Sequence, residues 1–151
     1  MVIKDILITD FTDRRFQEPF KFYFRELGCT VWDWPALFKE MNREKNCTAI
    51  LRMTEEGYTV GFIQFQPTPV SAGFFKTKWG FVREFWVAPE YRKGGHGSQL
   101  LEIAEERLRQ RGCSAAVLTT RTATAFYEKR GYRVEKDITA QNKMTVLLKQ
   151  L

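Results

Sequence analysis

A short loop in the second half of the chain combines the residue types that bind anions. Residues 92–98 read RKGGHGS, in which two cations and three glycines precede an apolar run. A loop of this kind at the start of a helix leaves backbone N–H groups unpaired, and the helix dipole adds positive potential there. Glycines let a phosphate approach those N–H groups closely. The stretch predicts an anion site, although a turn that needs glycine only for its backbone geometry has the same composition.

Two common phosphate-binding patterns do not fit this loop. The Walker pattern closes with Gly-Lys-Ser/Thr, whereas this chain has His96-Gly97-Ser98. The dinucleotide-binding pattern needs a third glycine where Leu100 stands. A different phosphate ligand is therefore indicated.

A third pattern, R/Q-x-x-G-x-G/A, matches residues 92–97. It binds the pyrophosphate of coenzyme A in the GNAT superfamily of N-acetyltransferases. The stretch FWVAPEYRKGGHG (85–97) resembles that family's fourth strand and loop, and ATAFYEKRGY (123–132) resembles its later A-x-x-F-Y-x-x-x-G-F/Y segment. This resemblance implies a single N-acetyltransferase domain over residues 1–151, with acetyl-CoA as its cosubstrate.

The resemblance also implies cofactor-binding residues at the end of the fourth strand, in the loop and in the following strand. They are Phe85, Trp86, Val87, Arg92, Lys93, Gly94, Gly95, His96, Gly97, Ser98 and Thr120. Backbone N–H groups near Trp86 and Val87 are expected to polarise the thioester carbonyl. His96 is expected to contribute its N–H and no proton transfer. Thr120 stands where many relatives have an asparagine, so its hydroxyl is expected to keep part of a hydrogen bond to the cofactor.

Direct transfer of an acetyl group to an amine, which the resemblance implies, needs a base and an acid. Many relatives have a glutamate early in the fourth strand, where this chain has Phe81, and Glu84 is the nearest substitute. An ion pair of Glu84 with Arg83 or Arg121 is the alternative interpretation. Tyr127 stands where relatives direct a phenol toward the coenzyme A sulfur, so it is expected to act as general acid. A tyrosine that only packs on its helix is the alternative.

Hydrophobic periodicity and turn residues predict the elements that position these residues. Strands are predicted at 2–8, 47–53, 58–65, 79–87, 115–119, 132–136 and 143–148, with a proline-bearing loop before the fourth. Two helices are predicted between the first two strands, a third ends at Gly112, and a fourth spans 122–130. The mixture of hairpins and strand–helix–strand crossovers predicts an α/β (α+β) fold. Its sheet should be mixed and largely antiparallel, with helices on both faces.

Charge and composition limit the function classes. The net charge is +1 over residues 1–79 and +5 over residues 80–151. Coenzyme A phosphates would explain this asymmetry, as would a basic surface that only keeps the protein soluble. No nucleic-acid-binding motif is present. The chain has no apolar segment that predicts a signal peptide or membrane span. Three scattered cysteines fit a reducing, cytoplasmic location, and a single histidine without close cysteine pairs argues against a metal site.

The resemblance implies an enzyme that acetylates an amine, and a small-molecule amine is the expected acceptor. A peptide or protein N-terminus is the alternative acceptor, and a non-catalytic acyl-CoA sensor is the alternative function. The absent strand glutamate favours a sensor, whereas the retained Tyr127 favours an enzyme. A homodimer is left open. Four aromatic residues are candidates either for the acceptor pocket or for the core: Phe22, Phe24, Trp32 and Trp34.

Overall fold

A computed structural model of the chain describes residues 1–151 and contains one seven-stranded sheet in the order β1-β2-β3-β4-β5-β7-β6. The strands are β1 (Ile3–Ile8), β2 (Thr48–Thr54), β3 (Thr59–Ala72), β4 (Phe75–Val87), β5 (Ala115–Thr120), β6 (Arg133–Val134) and β7 (Thr145–Gln150). Only β4 and β5 pair in parallel. The predicted mixed, largely antiparallel sheet is confirmed.

Four α-helices accompany the sheet. They are α1 (Arg14–Glu26), α2 (Trp34–Arg43), α3 (His96–Gln110) and α4 (Thr124–Glu128), and a short 3-10 turn, Pro89–Tyr91, follows β4. Asp13 and Asp33 cap α1 and α2 by accepting backbone N–H groups of the first helical turn. None of the helices combines the length and hydrophobicity that crossing a bilayer requires.

The helices cover both faces of the sheet, as predicted. Under α3 and α4, a buried cluster contains Ile50, Ile63, Phe65, Val82, Leu100, Leu101, Ala104, Leu108, Cys113, Ala116, Leu118, Tyr127, Tyr132 and Leu147. Under α1 and α2, a second cluster is rich in aromatic rings and contains Ile8, Phe11, Phe16, Phe20, Phe38, Met41, Cys47, Ala49, Leu51, Met53, Phe62, Trp86 and Ala88. Each buried face holds its helices through apolar burial.

The proline-bearing loop predicted before β4 is wrong, because β3 and β4 continue as a paired hairpin to a turn at 73–74. Pro67 and Pro69 lie inside β3. They are two residues apart, and at that spacing the residues of a strand direct their backbone groups to the same edge. Both missing N–H groups would therefore have faced the β2 side of β3. On that edge β2 has already ended, opposite Phe65. Prolines are tolerated on such an unpaired edge.

A β-bulge interrupts the pairing of β3 with β4. The register shifts by one at Gln64, which faces both Arg83 and Glu84. Val82 and Phe85 therefore both pack against the cluster under α3, although they are three residues apart. The extra residue leaves Arg83 and Glu84 together on the face that α1 and α2 cover.

The sheet opens between its two parallel strands. β4 and β5 pair only where Trp79–Phe81 lies beside Ala115–Val117. Beyond this stretch β4 stays paired with β3, and β5 stays paired with β7. The two strands separate, and their facing edges have no strand partner.

Candidate functional site

A cavity of about 600 Å³, the loop cavity, lies where the separated part of β4 meets the start of α3. Its lining residues are Phe85, Trp86, Val87, Tyr91, Arg92, Lys93, Gly95, His96, Gly97, Ser98, Ala123, Phe126, Tyr127 and Arg130. The structure thus brings together nine of the eleven residues that the sequence predicts to bind the cofactor. The other two, Gly94 and Thr120, do not line the cavity.

The start of α3 provides the backbone donors of this cavity. Gly95 precedes the helix in the left-handed region, with φ of 85°, and no side chain caps the helix. Gln99 makes the first intrahelical bond, to the Gly95 carbonyl at 3.1 Å. The N–H groups of residues 96–98 consequently have no partner within the helix. Together with the helix dipole they fit the pyrophosphate of coenzyme A.

Arg92 joins the loop to the end of β4 and to α1. Its Nε donates to the Val87 carbonyl at 2.8 Å, and its Nη2 donates to both carboxylate oxygens of Glu26 at 2.8 and 3.0 Å. An anion at the loop would share this guanidinium with Glu26. Lys93 makes no salt bridge, so its charge is not offset by a neighbouring carboxylate.

Arg130, just after α4, adds a cation that the sequence did not identify. Its Nε donates to Ser98 Oγ at 3.0 Å and its Nη1 to the Phe126 carbonyl at 2.7 Å. The guanidinium carbon also lies 3.8 Å from the centroid of the Phe126 ring. These contacts hold the guanidinium at the first turn of α3, beside the free N–H groups.

The end of β4 directs one backbone N–H into the gap between the strands. Ala88 donates its N–H to the Val60 carbonyl of β3 at 2.8 Å. Alternate residues of a strand direct their backbone groups to opposite edges, so Trp86 faces β3 and Val87 faces the gap. The bond from Arg92 to the Val87 carbonyl agrees with this orientation. Of the two predicted donors, Val87 has the N–H that is available to a ligand.

A second cavity of about 560 Å³, the strand cavity, continues along β4 in the direction of β5 and the segment before β7. Its lining residues are Tyr23, Gln66, Phe81, Val82, Arg83, Glu84, Val117, Leu118, Thr119, Ile138, Thr139, Ala140, Asn142, Met144 and Val146. Along β4 its lining ends at Glu84, and the lining of the loop cavity begins at Phe85. The two cavities therefore follow one another along the separated strand.

Glu84 is the one carboxylate at this junction. Its side chain is 26% exposed, and its Oε2 is buried without a hydrogen-bond partner, 3.7 Å from Arg83 Nε. Burial raises the pKa of the Glu84 carboxyl; Arg83 opposes this rise, and nearby Glu44 adds to it. Arg83 rather than Arg121 is thus the neighbouring cation. The arrangement suits proton acceptance, since a raised pKa makes a carboxylate a stronger base.

Tyr127 lies in the wall of the loop cavity and is 8% exposed. Its ring packs edge-on against Phe126 and Tyr132 at centroid distances of 5.1 and 5.6 Å. Burial raises the pKa of the Tyr127 phenol, and Tyr23 adds to the rise. At neutral pH the phenol is therefore protonated and can donate a hydrogen bond.

His96 is held by a buried arginine from the other half of the chain. Arg52 is 4% exposed, pairs with both oxygens of Asp5 at 2.8 and 3.0 Å, and places its Nη1 3.0 Å from His96 Nδ1. The same nitrogen donates to Gln99. Because a guanidinium only donates, His96 Nδ1 is the acceptor and the ring proton is assigned to Nε2. Burial and Arg52 lower the pKa of His96, which favours the neutral ring.

The remaining predicted positions lie outside the cavities or in different roles. Thr120 Oγ1 accepts the backbone N–H of Ala123 at 3.0 Å, and this bond holds the turn before α4. Phe81, at the position of the usual glutamate, lines the strand cavity. None of the four aromatic candidates for the acceptor pocket lines that cavity, whereas Phe22 lines a separate cavity of about 680 Å³ beside Trp86 and Tyr91. Phe24 and Trp34 pack against the core, whereas Phe22 and Trp32 are exposed.

The model of the acetyltransferase (GNAT) family matches residues 4–132, most of the chain. The chain belongs to this family. The matched residues include the loop, β4, β5 and α4. No group of three or more His, Cys, Asp or Glu side chains is arranged to hold a metal ion.

Similar acetyltransferases are found among curated proteins and solved structures. The chain is 59% identical over 44 residues to an "Amino-acid acetyltransferase" of Pseudomonas putida. This match covers 28% of this chain and 10% of that protein. It is 30% identical over 99 residues to the "Uncharacterized N-acetyltransferase YhfO" of Bacillus subtilis, 63% of this chain and 65% of that protein. The match thus spans about a tenth of the first relative and less than two thirds of the second.

Two solved structures share the fold over nearly the whole chain. A GNAT-family acetyltransferase of Staphylococcus aureus has a TM-score of 0.73 at 17% identity, covering 99% of both chains. The PaiA N-acetyltransferase of Thermoplasma acidophilum, solved in complex with coenzyme A, has a TM-score of 0.63 at 17% identity and covers 100% of both chains. At these identities the likeness concerns the GNAT fold.

Sequence reasoning missed the site residues that tertiary packing supplies. Tyr23 comes from α1, where its helical spacing indicates only a core position. Arg52 comes from β2, and an arginine inside an apolar strand was the signal for a buried partner. Tyr91, Phe126 and Arg130 lie inside the two quoted motifs, where aromatic and cationic side chains beside the glycine loop could have been considered.

Proposed function

We propose that this GNAT protein transfers the acetyl group of acetyl-CoA directly to a primary amine of a small molecule. The observation that carries the proposal is the pair of successive cavities along the separated β4. One contains the anion-binding start of α3 and Tyr127, and the other contains Glu84. Neither cavity is lined by a cysteine, which supports direct transfer over a covalent thioester on the enzyme.

Acetyl-CoA, when bound, supplies the acetyl group as a thioester. The N–H groups of residues 96–98 would hold its pyrophosphate, with Lys93 and Arg130 adding positive charge. The Val87 N–H faces the gap and would donate to the thioester carbonyl oxygen as that oxygen gains negative charge. A prearranged donor of this kind needs no reorganisation during the reaction.

Glu84 would accept the proton of the acceptor amine. A lysine-like amine with a pKa of about 10.4 costs roughly 4–5 kcal/mol to deprotonate at neutral pH, so such a substrate needs a base. Burial raises the pKa of Glu84 toward that of the amine, which reduces the cost of the transfer. The Oε2 of Glu84 has no hydrogen-bond partner and lies 3.7 Å from Arg83 Nε, so the proton would be received on a carboxylate that a cation already faces.

Tyr127 would donate to the departing thiolate. Its pKa lies above the ordinary value because of burial. A thiol with a pKa near 8.5 is a stronger acid than this phenol, so full transfer of the proton is uphill. The Tyr127 hydroxyl would act chiefly by stabilising negative charge on sulfur through a hydrogen bond.

The size of the strand cavity favours a small molecule over a peptide as acceptor. Small-molecule sites are typically about 300–1,000 Å³, and the strand cavity has about 560 Å³. Its lining comes from β4, β5, α1 and the segment before β7, so side chains surround it on several sides.

Acetyl-CoA turnover and coenzyme A binding together test the proposal. Thiol release is measured with acetyl-CoA and a panel of monoamines, amino acids, polyamines, aminoglycosides and peptides. We expect amine-dependent thiol release with small amines and calorimetric binding of coenzyme A. Coenzyme A binding without turnover of any amine would support an acyl-CoA sensor instead. Turnover of peptides alone would support the peptide acceptor.

A further inference from the structure

The strand cavity has an unusual charge balance. Of its fifteen lining residues, only Arg83 and Glu84 are charged. Arg83 also contacts the carboxylate of Glu44 and donates to Gln66 Oε1 at 3.3 Å. One guanidinium therefore lies between two carboxylates, and the cluster of Glu44, Arg83 and Glu84 has a formal charge of −1.

Asn142, a neutral polar residue of the cavity, has partners for its side-chain amide. Asn142 donates from Nδ2 to Thr119 Oγ1 at 3.0 Å and accepts the Met144 N–H on Oδ1 at 3.0 Å. The neighbouring Lys143 is exposed and does not line the cavity. No free cation is therefore present among the lining residues to pair with an anionic group of a ligand.

This balance discriminates among acceptor amines. A single ammonium group complements the net charge of the cluster and lies near the base that must deprotonate it. A carboxylate elsewhere on the acceptor would be desolvated without a cationic partner, which is costly. A second ammonium group would be desolvated without a second free carboxylate. Uncharged or apolar parts meet Phe81, Val117, Leu118 and Val146.

We propose that the acceptor is a monoamine whose remaining atoms carry no charge. The inference rests on the proposed function, because it takes the strand cavity as the acceptor site. It excludes free amino acids and polyamines as preferred substrates, although both have a primary amine. The Glu44–Arg83 salt bridge determines this specificity, since it neutralises the one lining cation that could have paired with a substrate carboxylate.

A matched set of three amines that share a phenyl ring tests this charge rule, namely that an acceptor with a second charged group is used less well. Phenethylamine, phenylalaninamide and phenylalanine are compared by thiol release at equal concentrations of the free amine. We expect kcat/KM to be at least about tenfold higher for phenethylamine than for phenylalanine, since an unpaired charge is costly to desolvate. Phenylalaninamide, which keeps the bulk without the charge, should be used like phenethylamine. Pentylamine should likewise be preferred to cadaverine.

Glu44→Gln tests whether the Glu44–Arg83 salt bridge determines the specificity. Removing this carboxylate leaves Arg83 able to pair with a substrate carboxylate, so the preference for phenethylamine over phenylalanine should fall. The matched control is Glu40→Gln on α2, whose carboxylate pairs with exposed Arg43 at 3.1 Å. This control should leave the preference unchanged. A merely structural effect of Glu44→Gln would lower both rates and leave their ratio as it is.

The outcomes separate this inference from the proposed function. Equal or better use of phenylalanine, or of cadaverine, overturns the charge rule while acetyl transfer to amines stands. If no amine is acetylated, the proposed function fails. Calorimetric binding of phenethylamine and phenylalanine to the coenzyme A-loaded protein then still tests the rule, and equal or tighter binding of phenylalanine overturns it. A phenylalanine preference that disappears in Lys143→Ala would assign the carboxylate to that exposed lysine instead.

Discussion

At the scale of single residues, burial has opposite chemical consequences for Glu84 and Tyr127. It raises the pKa of both groups. For the carboxylate, a higher pKa means a stronger base that is closer in pKa to the amine of the proposed reaction. For the phenol, it means a weaker acid that remains a hydrogen-bond donor over the whole neutral range. The same desolvation thus prepares one group to accept a proton and the other to donate a hydrogen bond.

Tyr127→Phe isolates the hydroxyl, because the ring and its packing on Phe126 and Tyr132 remain. A hydrogen bond to a charged group is worth about 1.5–3 kcal/mol, so kcat should fall roughly 10- to 100-fold. Affinity for coenzyme A, measured by calorimetry, should be nearly unchanged. Tyr58→Phe, at an exposed tyrosine outside both cavities, is the control. Wild-type turnover in the Tyr127 variant would show that the tyrosine only packs.

Gly97→Val tests the close approach of a ligand to α3. A Cβ at Gly97 would lie 3.6–3.7 Å from side-chain atoms of Phe126, Phe85 and Val87, which is ordinary contact. Gly97→Ala should therefore be tolerated, whereas the two methyl groups of valine must enter the loop cavity. An overpacking cost of about 1–3 kcal/mol corresponds to roughly 5- to 150-fold weaker coenzyme A binding by calorimetry. Unchanged affinity in a folded Gly97→Val protein contradicts the assignment of the loop.

At the scale of elements, local patterns predicted the loop and α3 correctly and could not predict the bulge in β4. Strict alternation along β4 would put Val82, Glu84 and Trp86 on one face, whereas Val82 packs under α3 and the other two lie on the face that α1 and α2 cover. The bulge is set by pairing with Gln64 of β3, so no pattern within β4 records it. The loop predicted at Pro67 was wrong for a related reason. Proline interrupts a strand only where a neighbouring strand needs its backbone N–H for pairing.

The residues of the candidate site likewise divide into those that the local sequence could predict and those that it could not. Residues in the two motifs, such as Gly97 and Tyr127, were predictable because the motif and the structure involve one continuous segment. Tyr23, Arg52 and Glu44 reach the site from other elements through packing of α1, β2 and the end of α2. Their positions depend on tertiary contacts that a single sequence does not display.

The packing of α3 on β4 depends on Gly80. A Cβ there would lie 2.5 Å from Leu108 Cδ1, and Leu108 is fully buried. Gly80→Ala should lower the free energy of unfolding by about 1–3 kcal/mol in urea titrations. Leu108→Ala alone should cost about 2–5 kcal/mol. In the double variant the new methyl group enters the space left by Leu108, so the combined cost should be less than the sum. Simple additivity would mean that the two side chains do not compete for space.

At the scale of the whole molecule, the site joins a nearly neutral half of the chain to a basic half. Residues 1–79 have a net charge of +1 and residues 80–151 a net charge of +5. The first half supplies carboxylates that pair across the molecule: Glu26 with Arg92, and Glu44 with Arg83. It also supplies Asp5, which holds Arg52 beside His96. The anion-binding loop and the proposed base are therefore oriented by contacts between the halves.

Glu84 links the charge of the site to the stability of the whole fold. Its folded-state pKa is raised above the ordinary value of 4.5, mainly by burial. Between 4.5 and the folded pKa, the native state binds more protons than the unfolded chain. Stability consequently decreases as pH rises through this window, and the loss persists above it. Ionisation of Glu84 in the folded protein is thus a cost to folding that Arg83 offsets only in part.

Glu84→Gln should remove this cost and raise the melting temperature at pH 7–8, while abolishing the proposed base. The gain should shrink as pH falls through the window and disappear below about pH 4, where the wild-type carboxyl is protonated in both states. For a chain of this size, 1 kcal/mol corresponds to roughly 2–4 °C, which calorimetry resolves. Glu102→Gln, at an exposed position of α3, is the matched control and should leave the pH profile unchanged. If the ion pair with Arg83 outweighed desolvation, Glu84→Gln would instead lower the melting temperature at neutral pH. That result, together with an activity loss that is the same at every pH, would assign Glu84 a structural role and leave the amine to be deprotonated by solvent.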